Sequence, residues 1–221
     1  MTTQFKNRAE AGHALATKLT RFANRSDVLV LALPRGGVPV AAEVAKSLNA
    51  PLDVFVVRKL GLPYHPELAM GAIASGGVRV INRDVVEGLR ISQLVIDTVA
   101  AQEQEELARR QRAYRDDLPS PQVKGKTIIL VDDGIATGST MIAAVLALRQ
   151  LGAARIVAAA PVIPRSTFDQ MHHAADEVAT VIAPEEFHGV GQWYENFSQT
   201  TDDEVRSLLA QTNHHAPAAA A

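Results

Sequence analysis

The feature that most constrains the fold is a set of short, mostly apolar runs. They lie at residues 28–33, 52–57, 126–131, 156–162 and 177–182. The first of them, VLVLAL, has no polar residue, which is typical of a strand that is buried on both faces. The chain is therefore expected to build a sheet that has helices or other layers against both sides.

Helical patterns separate most of these runs. They cover residues 5–24, 38–48, 138–151 and 164–173. Strands that alternate with helices form right-handed crossovers, and such crossovers produce a mostly parallel sheet. We therefore predict an α/β fold with a mostly parallel, twisted sheet flanked by helices.

The stretch from about 60 to 120 departs from this alternation. Glycine and proline interrupt it repeatedly, and apolar segments on either side of 75–77 predict a β-hairpin. Residues 91–115 predict a long exposed helix. It carries two glutamate–arginine pairs at the supporting i,i+4 spacing, Glu105 with Arg109 and Glu106 with Arg110. We predict one domain over 1–200 with this insertion and a C-terminal hood, followed at 201–221 by a helix and a disordered tail.

Composition narrows the classes of function. Of 221 residues, 47% are hydrophobic and 21% charged, which suits a globular protein with a substantial core. The net charge of −2 supplies no broad positive field, so neither nucleic acid nor a membrane is an expected partner. The absence of cysteine excludes disulfides, thiolate nucleophiles and cysteine-type zinc sites. No signal-peptide or membrane-span pattern is evident, and we expect a cytoplasmic protein.

The segment VDDGIATGST at 131–140 follows one of the buried strands. Two adjacent carboxylates, Asp132 and Asp133, cannot both point into a core, because burying an unpaired carboxylate costs several kcal/mol. They must face solvent, a cation or ligand hydroxyls. The small and hydroxylated residues after them lead into a helix, whose N-terminus can bind an anion. A ligand with a phosphate and a nearby diol, such as ribose 5-phosphate, fits this pattern.

Two other interpretations of this segment remain open. The aspartates could cap the helix while Gly138 only packs it. A phosphohydrolase or a response-regulator receiver also has acidic residues at strand ends, although a TG loop is not expected beside them.

The segment resembles the signature of the type I phosphoribosyltransferases, which follow a strand with two acidic residues and a TG-hydroxyl loop. This resemblance implies that Asp132 and Asp133 bind the ribose hydroxyls and serve catalysis. It implies a parallel-sheet fold, phosphoribosyl pyrophosphate as donor, Mg²⁺ as cofactor, a small planar acceptor and a homodimer. It assigns the 5′-phosphate to the loop residues Ile135, Ala136, Thr137, Gly138, Ser139 and Thr140.

The pyrophosphate end of such a donor needs its own site. Arg35, Gly36 and Gly37 follow the first buried run and supply a cation and flexible backbone. By resemblance this loop binds pyrophosphate and holds a non-proline cis peptide, which we predict between Arg35 and Gly36. Arg58 and Lys59 end the second run and are a further candidate clamp. A plain tight turn and a solvated cation pair are the respective alternatives.

The acceptor end is the least determined. Trp193 and Tyr194 follow the last apolar run in a chain with only 5% aromatic residues. The resemblance implies that one of them stacks on the acceptor within a hood, while the insertion closes over the site. Packing of the hood onto the core, or a dimer contact, is the alternative. The predicted function is transfer of 5-phosphoribosyl to a nitrogenous base, or binding of the same ligands by a non-catalytic regulator.

Overall fold

The structure is a computed structural model that describes residues 4–115 and 120–213. The predicted tail beyond 213 and positions 116–119 of the insertion lie outside the described residues. The main sheet has five parallel strands in the order β2-β1-β6-β7-β8. These strands are β1 (Val28–Ala32), β2 (Leu52–Val54), β6 (Thr127–Val131), β7 (Arg155–Val162) and β8 (Glu177–Ile182). The predicted mostly parallel sheet is confirmed.

Helices cover both faces of this sheet. They are α1 (Arg8–Ala16), α2 (Gly37–Leu48), α5 (Ser139–Gln150), α6 (Arg165–Ala174) and α7 (Asp202–Asn213). The helices α1, α2 and α7 share one buried cluster, while α5 and α6 share the other. No helix in the described part of the chain is long and apolar enough to cross a membrane.

The first strand shows why its sequence is apolar without alternation. Val28 and Val30 belong to the cluster under α1 and α2, whereas Leu29 and Leu31 belong to the cluster under α5 and α6. All five residues of β1 are buried. Because both faces of the strand are covered, no polar position can remain in it.

The insertion forms a second, antiparallel sheet with two helices. Its elements are β3 (Val57–Leu62), β4 (His65–Ala74), β5 (Val78–Ile81), α3 (Arg83–Gly88) and α4 (Gln93–Arg115). The predicted hairpin is confirmed, with positive φ at both turn glycines, Gly76 and Gly77. The predicted long helix is α4. In it Arg110 pairs with Glu106 as expected, whereas Arg109 also pairs with Glu106 and not with Glu105.

The second apolar run does not form one strand that ends at Arg58, as the sequence suggested. The strand β2 stops at Val54, and β3 of the other sheet begins at Val57, so Arg58 and Lys59 lie within a strand. Phe55 still bonds to the main sheet through its N–H to the Ala32 carbonyl at 2.9 Å. Both sheets bury this run, and its hydrophobicity therefore gives no sign of the change of partner.

Candidate functional site

The acidic pair lies where β6 ends, at the carboxyl edge of the parallel sheet. Asp132 Oδ1 accepts from the Asp133 N–H at 2.8 Å, and both residues are half-buried. Burial raises the pKa of Asp132 well above its usual range, and the neighbouring Asp133 carboxylate adds to that shift. Burial also raises the pKa of Asp133, but the Arg8 guanidinium opposes the shift. A cation or hydroxyl donors beside the pair would stabilise its ionised form.

The loop after the acidic pair leads directly into α5. The first of the predicted phosphate-binding residues, Ile135, is buried and donates its N–H to Val162 O at 3.0 Å, so it anchors the loop. The Thr167 hydroxyl on α6 donates to Ala136 O at 2.6 Å and fixes the next residue. Gly138 caps the helix with a φ of 77°, a conformation that favours glycine.

The exposed residues of this loop surround the start of α5. The Thr137 and Ser139 hydroxyl oxygens are 3.2 Å apart, and Ala136 and Thr140 are also exposed. The first N–H groups of a helix have no partner within it and carry partial positive charge. Together with the hydroxyls they can bind a phosphate dianion.

The loop after β1 is in direct contact with the acidic pair. A Cβ placed on Gly36 would lie 2.1 Å from Asp133 Oδ2, and one on Gly37 would lie 2.7 Å from Val131 O. Gly36 has helical angles, φ −59° and ψ −32°, so space and not conformation requires glycine there. The structure thus brings two of the predicted subsites together at the carboxyl ends of β1 and β6.

The cis peptide of this loop is one residue earlier than predicted. It joins Pro34 to Arg35, so the prediction for the Arg35–Gly36 bond is wrong. The residue types alone cannot locate the cis bond, because Pro-Arg and Arg-Gly are both compatible with a tight loop. The Arg35 guanidinium is directed toward α7, where its Nη1 is 3.4 Å from Asp202 Oδ1.

The second cationic pair is associated with the insertion. Arg58 Nε lies 2.6 Å from Glu103 Oε2 on α4. Arg58 and Lys59 line a cleft of about 730 Å³ between β3 and α4. These contacts place Arg58 against the insertion helix α4.

The two aromatic residues predicted at the acceptor end are buried. Trp193 is 5% exposed and Tyr194 is 4% exposed, and both pack with Phe5 and Val162. The Tyr194 hydroxyl donates to Asp133 O at 2.5 Å. Neither ring offers a face to a ligand in this structure, which is the packing role that the sequence left open as the alternative.

Sequence reasoning missed Arg8, although it contacts the acidic pair. Its Nε and Nη2 both lie 2.8 Å from Asp133 Oδ2. The two residues are separated by 125 positions, and Arg8 begins an ordinary surface helix. Because the contact depends only on tertiary packing, no local pattern in the sequence marks it.

A family model described as phosphoribosyl transferase domain matches residues 2–204. The chain belongs to this phosphoribosyl transferase family. The predicted resemblance is thereby confirmed, and the parallel sheet with flanking helices is the family's fold.

Similar proteins support this assignment at high coverage. "Putative phosphoribosyl transferase Rv0571c" of Mycobacterium tuberculosis is 48% identical over 205 residues, which are 93% of this chain and 46% of that protein. The chain thus spans about half the length of the curated relatives it matches. The crystal structure of TT1426 from Thermus thermophilus is 38% identical, with a TM-score of 0.85 over 95% of this chain and 99% of that one. A ribose-phosphate pyrophosphokinase of Pyrococcus furiosus is 44% identical over 59 residues, 26% of this chain and 21% of the enzyme.

Proposed function

We propose that this phosphoribosyl transferase domain transfers 5-phosphoribosyl from phosphoribosyl pyrophosphate to a planar nitrogenous acceptor. The observation that carries the proposal is the contact between the Gly36 backbone and the Asp133 carboxylate, beside the loop that opens α5. The carboxyl edge of the sheet thereby combines carboxylates that could bind a diol, a helix N-terminus that could bind one phosphate and a glycine loop that could bind a second anion.

Each part of the donor would then have its own partner. Asp132 and Asp133 would accept hydrogen bonds from the ribose hydroxyls. The 5′-phosphate would bind the exposed N–H and hydroxyl groups of 136–140, with Ile135 as an anchor. The Gly36 and Gly37 backbone, with Arg35 released from Asp202, would bind the pyrophosphate.

The chemistry would be a displacement at ribose C1. The acceptor nitrogen forms a bond to C1 as the bond from C1 to the pyrophosphate oxygen breaks, and the electron pair leaves on pyrophosphate. The acceptor's proton passes to water. Carboxylates beside the ring would stabilise positive charge that develops on the sugar, which is electrostatic catalysis by a preorganised site.

Mg²⁺ is the cofactor that the family implies. The described residues contain no cluster of three or more groups that could hold a metal ion. Mg²⁺ keeps several waters and is commonly bound through substrate phosphates. It would therefore be held chiefly by pyrophosphate oxygens and water, and would neutralise part of the leaving group's charge.

Arg58 and Lys59 remain predictions for the pyrophosphate, and Trp193 and Tyr194 for the acceptor. A role for Arg58 would require its release from Glu103. A role for the two rings would require the hood to unpack. The homodimer and the cytoplasmic location likewise stay predictions.

The decisive experiment is calorimetric titration with Mg²⁺–phosphoribosyl pyrophosphate, followed by pyrophosphate release with a panel of bases. Asp132→Asn and Asp133→Asn should each weaken donor binding at least tenfold. Asp27→Asn is a matched control, because Asp27 precedes β1 at the opposite edge of the sheet and also pairs with an arginine. Donor affinity that survives both substitutions would refute the proposed site.

A second candidate function is a non-catalytic regulator that binds the same donor or a related nucleotide. One observation favours it: the two aromatic residues predicted for the acceptor are buried. Tight donor binding without pyrophosphate release on any base would support the regulator. Turnover on a base would exclude it.

A further inference from the structure

The N-terminal segment is attached to the hood by backbone bonds. The Phe5 N–H donates to Trp193 O at 2.8 Å, and the Glu195 N–H donates to Phe5 O at 2.8 Å. The helix α1 then packs closely on α2, since a Cβ on Gly12 would lie 2.7 Å from Val40 O. These contacts hold the start of α1 in one place, and Arg8 is its first residue.

The Arg8 guanidinium is engaged on both of its edges. Nε and Nη2 bind Asp133 Oδ2, while Nη1 donates to Ser198 O at 2.7 Å. The side chain of Arg8 is 11% exposed and that of Asp133 is 13% exposed. This is a partly desolvated, charge-assisted contact with fixed geometry, unlike an exposed ion pair.

An aromatic stack supports the guanidinium. Phe197 stacks on Tyr194 with ring centroids 5.2 Å apart, and the Arg8 guanidinium lies 4.1 Å from the Phe197 centroid. Phe197 thus contacts Tyr194 and Arg8 and is itself 38% exposed. The aromatic residues of the hood therefore help to hold an arginine against the acidic pair.

Arg8 and Tyr194 bind two of the polar groups of Asp133. Arg8 binds the carboxylate, and the Tyr194 hydroxyl binds the main-chain carbonyl. The charged and titratable side chains near Asp133 are Arg8 on α1, Asp132 in its own loop and Tyr194 in the hood. The loop after β1 places Gly36 against it, and the Arg35 guanidinium of that loop pairs with Asp202.

We propose that Arg8 is a positioning residue of the donor site, which through Asp133 sets the charge and orientation of the carboxylate pair. The inference rests on the proposed function, in which that pair binds the ribose hydroxyls. Arg8 uses only Oδ2 of Asp133, so the pair keeps other acceptor oxygens for a diol. Without the guanidinium, two adjacent half-buried carboxylates would face one another with no positive partner from α1, and Asp133 would bind a proton more readily.

The test measures donor affinity between pH 5 and 8 for wild type, Arg8→Gln, Arg8→Lys and Arg25→Gln. Arg25 is a matched control because it also binds an aspartate through Nε and Nη2 and lies over a phenylalanine ring, at the far edge of the sheet. Arg8→Gln should weaken donor binding at least tenfold at pH 7. It should also move the pH at which affinity falls upward, whereas Arg25→Gln should match wild type.

Two further measurements separate positioning from a merely structural tie. In an Asp133→Asn background, Arg8→Gln should cause no additional loss of donor affinity, because the group it acts through is gone. The ¹³C carboxyl resonance of Asp133, followed by NMR without donor, should titrate at higher pH in Arg8→Gln than in wild type. If Arg8→Gln does not fold, Arg8→Lys should keep the wild-type pH dependence but lose affinity, because lysine lacks the planar fork.

An unchanged Asp133 titration in Arg8→Gln would overturn the proposal, as would additive losses in the double variant or unchanged donor affinity in Arg8→Lys. The proposed function fails separately. A wild-type protein that binds no donor refutes that function, while the donor-free carboxyl titration still decides whether Arg8 controls Asp133.

Discussion

Gly36→Ala tests the contact between the loop after β1 and the acidic pair. The added Cβ would lie 2.1 Å from Asp133 Oδ2 and 2.7 Å from its Cγ, far inside van der Waals contact. The backbone angles of Gly36 suit alanine, which by itself would stabilise the protein by about 0.4–1 kcal/mol through the unfolded state. The overlap must instead move the Asp133 side chain, and that side chain is held by Arg8.

The expected magnitude follows from these opposing effects. Overpacking a dense site costs roughly 1–3 kcal/mol, and distorting a charge-assisted hydrogen bond costs part of its ~1.5–3 kcal/mol. After subtraction of the entropic gain, Gly36→Ala should lower the free energy of unfolding by about 1–3 kcal/mol. It should also weaken donor binding about tenfold or more.

Urea unfolding at equal m-value, together with donor titration, measures both effects. Gly88→Ala is the matched control, since nothing lies within 4 Å of a Cβ there and the residue ends α3. If Gly36→Ala proves as stable as Gly88→Ala and binds donor like wild type, the contact between the glycine loop and Asp133 does not exist as described.

Three further substitutions test separate parts of the site. Thr167→Ala removes the hydroxyl that donates to Ala136 O, and it should lower the free energy of unfolding by ~1 kcal/mol and weaken phosphate binding. Thr167→Ser should keep the wild-type stability and phosphate affinity, as measured by urea unfolding and calorimetry. Asp132→Asn should raise the free energy of unfolding at pH 7, because the pKa of Asp132 is raised in the folded state and its ionisation therefore opposes folding. In urea unfolding, this gain should vanish as the pH falls below the usual aspartate pKa. Asp202→Asn should tighten pyrophosphate binding up to about fivefold in calorimetry, because it frees Arg35 from an exposed pair of at most ~1 kcal/mol; weaker binding would contradict a role for Arg35.

The parts of the fold that depend on local pattern could be predicted from the sequence. The strand β1 and residues 128–131 of β6 are continuous apolar runs because both faces of these strands are covered. The loop at 131–140 combines residue types that suit few other tasks. The hairpin could be predicted because its turn needs two glycines.

The parts that depend on partners distant in sequence could not be predicted. The strand boundary at Val57 reflects a change from one sheet to another, and the residues on both sides of this boundary pack into apolar clusters. The burial of Trp193 depends on the N-terminal segment that pairs with it. Arg8 reaches Asp133 only after α1, β6 and the hood have come together, so a single sequence gives it no distinguishing mark.

The bonds between the segment near Phe5 and the hood have a consequence for synthesis of the protein. The Gln4–Gln192 contact joins residues 188 positions apart, so the segment near Phe5 is translated long before the hood that it pairs with. All five strands of the main sheet have been translated before residue 193 is added. Because contacts of such long range form late, a nascent chain can complete its sheet while Asp133 still lacks its arginine. Formation of the Arg8–Asp133 contact is then a separate, later step of folding, and release of the hood from the ribosome sets its timing.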